Sequence, residues 1–115
     1  AAVAEYDRAL AIAELMGDKY THVLALCGIA DTRRESDALD LALTFYERAE
    51  RLAAQIEAQY PRGRALHGIA EVMARRRDED AARIHWREAL DVYQGLGSYL
   101  AGIVAMRLEP FSNAA

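Results

Sequence analysis

Cysteine is almost missing from this chain. Cys27 is the only one in 115 residues, so no intrachain disulfide framework exists. That fits a reducing cytoplasm, the expected location. Proline is equally scarce, with Pro61 and Pro110 alone, so long helices can run without interruption. Positive charge is not in excess either. The formal net charge is −4, which leaves no general basic surface for nucleic-acid phosphates. No apolar run approaches the roughly 20 residues of a membrane-spanning helix. The apolar-rich opening, 1–16, carries Glu5, Asp7, Arg8 and Glu14, which a signal peptide's apolar stretch would not tolerate. No serine sits in a Gly-x-Ser-x-Gly elbow, and no glycine-rich phosphate loop is present. The chain begins without methionine and in mid-pattern, the expectation for a piece of a larger protein.

What the chain does contain is alanine, leucine, glutamate and arginine, within a 53% hydrophobic composition typical of a folded domain. These residues favour helix. They also recur with a period of forty. Tyr6-Asp7-Arg8-Ala9 falls on Tyr46-Glu47-Arg48-Ala49 and then on Trp86-Arg87-Glu88-Ala89. Tyr20 falls on Tyr60, Ala25-Leu26 on Ala65-Leu66, and Ala42 on Ala82. Gly28-Ile29-Ala30-Asp31 falls on Gly68-Ile69-Ala70-Glu71. A match this ordered marks an internal repeat.

Each unit reads as two helices. The first is expected over 19–34 and again over 61–77, and its nearly continuous apolar stretch, Val23 to Ala30, makes it the inner one. The second is expected over 37–58 and 79–96. Its stripe Ala42, Tyr46, Ala49, Ala53 recurs as Ala82, Trp86, Ala89, Tyr93, in steps of four, three and four. Gly17-Asp18 and Gly97-Ser98 punctuate the helices. Ser36-Asp37 and Asp78-Glu79-Asp80 suit helix starts, whereas Arg33-Arg34 and Arg75-Arg76-Arg77 suit helix ends. Pro110 predicts that the last helix, from Tyr99, stops near Leu108 or Glu109. The expected division is a lone outer helix (1–17), two repeats (18–57 and 58–97) and a partial repeat (98–115), about five helices in all.

The small residue on the first helix, followed by small, aromatic and alanine positions on the second, resembles the tetratricopeptide repeat. These are Gly28, Ala42, Tyr46 and Ala49, then Gly68, Ala82, Trp86 and Ala89. The forty-residue period departs from the usual thirty-four and is similar to the longer variety of kinesin light chains and large bacterial regulators. The stretch from His85 to Tyr93, followed by Leu96-Gly97, looks like repeats of actinobacterial ATP-dependent transcription regulators. The resemblance implies an all-α array of antiparallel helix pairs forming a short right-handed solenoid. It also implies a non-enzymatic scaffold that binds a peptide or helix on its concave face. The alternative is a sensory or autoinhibitory segment of a bacterial transcription regulator, with its partner in another domain of the same parent protein.

By that resemblance the groove positions are His22, Ala25, Ile29, Thr32 and Arg33 in one unit, and Arg62, Ala65, Ile69, Val72 and Met73 in the next. Arg33 and Arg62 would grip acidic groups of an amphipathic partner. Arg75, Arg76 and Arg77 form a second candidate electrostatic contact, through bidentate pairing with carboxylates. No catalytic residue, cofactor or metal is expected. His67 with Glu71 and His85 with Glu88 stand one helical turn apart, but a metal site needs three or four converging ligands. Cys27 lies in an apolar stretch, where burial makes a thiol inert. Gly28 and Gly68 are expected to face the second helix of their own pair. Self-association is expected through the apolar stripes of the end helices: Val3, Tyr6, Leu10 and Ala13 in the first, and Leu100, Ile103, Val104 and Leu108 in the last.

Overall fold

The computed structural model describes residues 2–112. Among them it forms six helices and no strand: α1 (Ala2–Met16), α2 (Lys19–Glu35), α3 (Leu39–Gln55), α4 (Gln59–Arg75), α5 (Glu79–Leu96) and α6 (Leu100–Ser112). Each helix packs on the next, and α2 also reaches α4. The expected count of five becomes six, because two complete pairs carry an unpaired helix on each side. No described helix is long and apolar enough to cross a membrane.

The turns share one construction. Positions 17, 37, 57, 77 and 97 all take the left-handed conformation, twenty residues apart. After each helix the same pair of bonds closes its end. Asp37 N–H donates to the Arg34 carbonyl at 3.0 Å and Ala38 N–H to the Arg33 carbonyl at 2.8 Å, and the other four turns repeat this. This is the Schellman motif, which satisfies carbonyls that a helix end would otherwise leave bare. Glycine holds only two of the five positions; Asp37, Glu57 and Arg77 hold the others. Ser36 and Asp37 therefore belong to the end of α2, not to the start of α3. Leu39 opens α3 behind Ala38, which makes no side-chain cap. Asp18 and Asp78 do cap, accepting from the Thr21 and Ala81 N–H groups.

Glu57 is exposed and, unlike Asp, has no short polar side chain that tolerates the left-handed region. A left-handed L-residue costs roughly 1–2 kcal/mol, partly offset by the greater chain entropy that glycine loses on folding. Glu57→Gly should therefore stabilise the fold by about 0.5–1 kcal/mol. Urea unfolding of the two chains measures this, and a lower midpoint in the variant would refute the strain.

The outer-helix stripe is buried as the spacing requires. Ala42, Tyr46, Ala49 and Ala53 are all 0% exposed. Trp86 and its neighbours Ala82, Ala89 and Tyr93 form the corresponding core with Leu66, Ala70, Val104 and Leu108. The glycines, however, face backwards along the array. A Cβ at Gly28 would enter the ring of Tyr6 on α1, and one at Gly68 the ring of Tyr46 on α3. Each glycine thus meets the outer helix of the preceding pair. The aromatic projects forward, and the missing side chain lets the next inner helix come down on its ring.

Pro110 lies inside α6, which continues to Ser112 instead of stopping near Leu108. Glu109 and Pro110 are exposed, so water can satisfy the Met106 carbonyl that proline leaves without a donor. The end-helix stripes are also corrected. Ala13, Val104 and Leu108 are buried against neighbouring helices. Tyr6 and Ile103 are exposed as expected, and Ile12, Leu15 and Met16 on α1 and Met106 on α6 are exposed beside them. The side chain of Val3 lies outside the described residues.

Candidate functional site

Residues of α2, α4 and α6 together line a groove of about 390 Å3. Asp31 and Arg34 from α2, Tyr60, Arg64, His67 and Glu71 from α4, and Ile103 and Arg107 from α6 line it. Positions 60, 64, 67 and 71 step by four, three and four, so one face of α4 carries them all.

Two equivalent polar clamps build this face. The Tyr46 hydroxyl donates to Asp31 Oδ1, and Arg64 Nη2 donates to Asp31 Oδ2 at 2.7 Å. One unit on, Trp86 Nε1 donates to Glu71 Oε2 at 3.1 Å, and Arg107 Nη2, three residues beyond the position forty after Arg64, donates to Glu71 Oε1 at 3.0 Å. In each case one carboxylate joins the aromatic of its own outer helix to an arginine of the next inner helix. Arg34 Nη1 adds a bond to the Tyr46 oxygen at 3.1 Å. Burial first, and then the Asp31 charge, push the Tyr46 phenol well above its ordinary range, so it stays a neutral donor. Each guanidinium has five N–H donors, more than its clamp uses.

Beneath these residues lies an orphan. Tyr93 is fully buried, and its hydroxyl has no hydrogen-bond partner among the described residues. Its ring lies edge-on to His67, with centroids 6.0 Å apart, and over Gly63, where a Cβ would stand 2.7 Å from it. Burial raises the Tyr93 phenol and lowers the His67 imidazole, the latter against the pull of Glu71. His67 is therefore mainly neutral at pH 7, and its 3.9 Å approach to Glu71 adds little ionic attraction. Cys27, also fully buried, is pushed up to about 12 by desolvation and is no nucleophile near neutrality.

The groove residues expected from sequence lie elsewhere. Ala25, Ile29, Ala65, Ile69 and Val72 are buried in the helix packing, and none of them lines the groove of α2, α4 and α6. Met73 is partly buried against the same core. His22 stands 3.8 Å from Glu14 on α1, and the Thr32 hydroxyl bonds the Gly28 carbonyl of its own helix. Arg33 Nε is buried without a bond among the described residues, and Arg62 pairs with Glu50 of α3 at 3.3 Å. Arg33 and Arg62 are thus not the handles of this groove; Arg34, Arg64 and Arg107 line it.

The arginine run is divided among different tasks. Arg75 donates to the Arg34 carbonyl at 2.6 Å and approaches Asp37 at 3.6 Å, while Arg76 pairs with Asp40 at the start of α3. Both fasten α4 to the preceding unit. Arg77 is the left-handed residue of its turn. No family model, curated protein or solved structure matches the chain. Among the described residues no three His, Cys, Asp or Glu side chains converge to hold a metal. The two His–Glu pairs remain isolated, His85 Nδ1 standing 3.2 Å from Glu88.

Proposed function

We propose that the chain is a protein-interaction scaffold of tetratricopeptide-like helix pairs, stacked as a short right-handed solenoid. It takes a peptide or helix along the face of α2, α4 and α6. The observation behind this reading is the groove itself, where three arginines face two carboxylates in a chain of net charge −4. The local balance favours an acidic segment. The exposed rings of Tyr60 and Tyr99 and the Ile103 side chain offer apolar contact beside the charges. The Tyr93 hydroxyl below supplies a donor for a polar group that enters deeply. A segment with an apolar edge and spaced acidic residues fits this chemistry.

Arg107 and Ile103 are more than 40% exposed, so replacing them should leave the fold intact. The test is NMR titration of the labelled chain with two synthetic fifteen-residue peptides, one of Leu and Glu in amphipathic spacing and one with Lys in place of Glu. The Glu peptide should shift the amides of His67, Glu71 and Arg107. Ile103→Ala combined with Arg107→Ala should weaken it about tenfold, the size expected for one lost charge-assisted contact plus apolar area. Equal binding of both peptides, or shifts confined to α3 and α5, would reject the groove as the docking face.

A further inference from the structure

We infer that the chain assembles head to tail, α1 of one copy docking on α6 of the next. The surfaces that would meet are fixed by the forty-residue register and lie apart from the groove of α2, α4 and α6. Between α3 and α4 runs a groove lined by Glu47, Glu50, Arg51, Leu66 and Ile69, and α5 covers it with His85 and Glu88, leaving about 240 Å3. The same positions one unit later are Arg87, Leu90, Asp91, Met106 and Glu109, on α5 and α6. There the groove opens to about 540 Å3, and no third helix among the described residues covers it. What the open groove lacks is an outer-type helix in the place of α5.

The chain carries such a helix. Tyr6-Asp7-Arg8-Ala9 on α1 is in register with Trp86-Arg87-Glu88-Ala89 on α5. The apolar fit follows from residues already paired inside the fold. Leu26 of α2 and Leu52 of α3 line one pocket. Their equivalents are Met106, 71% exposed, and Ile12, 56% exposed. Docking α1 of a second copy against α6 places Ile12 over Met106 and covers both. Arg51 and Glu88 are exchanged for Asp91 and Arg8, and Glu47 gives way to Arg87, while Glu50 becomes Leu90 and Ile69 becomes Glu109. The internal junction sets Glu47 and Arg51 against His85 and Glu88. The proposed junction sets Arg87 against Glu5 and Asp91 against Arg8, each a basic residue facing an acidic one. Because the two surfaces differ, the contact is heterologous, and assembly continues beyond a dimer.

Sedimentation of the full chain over a hundredfold concentration range tests this. The wild type should grow past twice its 12.8 kDa mass as concentration rises. Ile12→Glu blocks one surface and Met106→Glu the other. Each alone should sediment as a monomer with unchanged helical circular dichroism, and an equal mixture should give a species of twice the chain mass and nothing larger. Arg8→Asp and Asp91→Arg should each weaken assembly, and the chain carrying both should regain it. A wild type monomeric throughout would overturn the inference and assign the groove to an outer helix other than α1. Growth that stops at a dimer, assembly by either glutamate variant alone, a mixture that stays monomeric, or no recovery in the charge-swapped chain would overturn it too.

Discussion

Trp86→Ala should cost about 3–5 kcal/mol in urea unfolding, the range for emptying a large aromatic site from a core. The ring is only 5% exposed and packs among Leu66, Ala70, Tyr93, Val104 and Leu108, drawn from three helices. Removing it opens a cavity where α4, α5 and α6 meet, and α4 cannot collapse into it without pulling away from α2 and α3. The indole N–H donor to Glu71 is lost as well. Against a whole-domain stability of roughly 5–15 kcal/mol, such a loss leaves a measurable unfolded fraction. Trp86→Phe keeps most of the ring and should cost about 1–2 kcal/mol, from the lost hydrogen bond and some lost volume. A cost for Trp86→Ala below about 1 kcal/mol, the range of ordinary surface changes, would mean that the ring does not join these helices.

Gly68→Ala should destabilise by about 1–3 kcal/mol, the range for overpacking a filled core. The equivalent change Gly28→Ala should cost far less. Both glycines face a tyrosine ring that an added methyl would enter. The difference lies in the tyrosine. Tyr46 is 0% exposed, and its hydroxyl is held by Asp31 and Arg34, so the ring cannot yield. Tyr6 is 37% exposed on α1 and can swing outward. Alanine also improves helix propensity by roughly 1 kcal/mol over glycine, which offsets much of the smaller clash. Paired thermal melts of the two variants give the comparison. Equal shifts would show that the Asp31 clamp does not fix the Tyr46 ring.

The outer helices were legible in the sequence because each has one clean stripe. Ala42, Tyr46, Ala49 and Ala53 repeat at helical spacing, and all four are buried. The inner helices gave no such bearing. From Val23 to Ala30 almost every residue is apolar, so the helix is evident but its rotation is not. The expected groove accordingly fell on Ile29, Ala65 and Ile69, which are buried in the packing. The polar positions held the missing signal. Asp31 and Glu71 share a register with each other, as Tyr46 and Trp86 do, and Tyr60, Arg64, His67 and Glu71 follow one face. A carboxylate recurring beside an aromatic that carries a polar tip points to a clamp. Neither the glycine partners nor the turns could be read as directly. Periodicity locates a close approach without saying from which side it comes, and Asp37, Glu57 and Arg77 do not announce a left-handed turn as glycine does.

The even spacing of those turns sets the step by which such a protein can lengthen or shorten. One helix and its turn occupy twenty residues, so an insertion of twenty would preserve the helix rhythm yet put an inner-type face where an outer one belongs. A gain or loss of forty keeps both rhythm and face, because each carboxylate lies fifteen residues before its aromatic, although its arginine lies 33 residues away in one clamp and 36 in the other. Smaller changes have to fall within the turns, where an extra residue disturbs one Schellman closure and leaves the packed faces on either side in phase. Variation in length among related chains would therefore come in whole helix pairs, with single-residue differences gathered at positions near 17, 37, 57, 77 and 97.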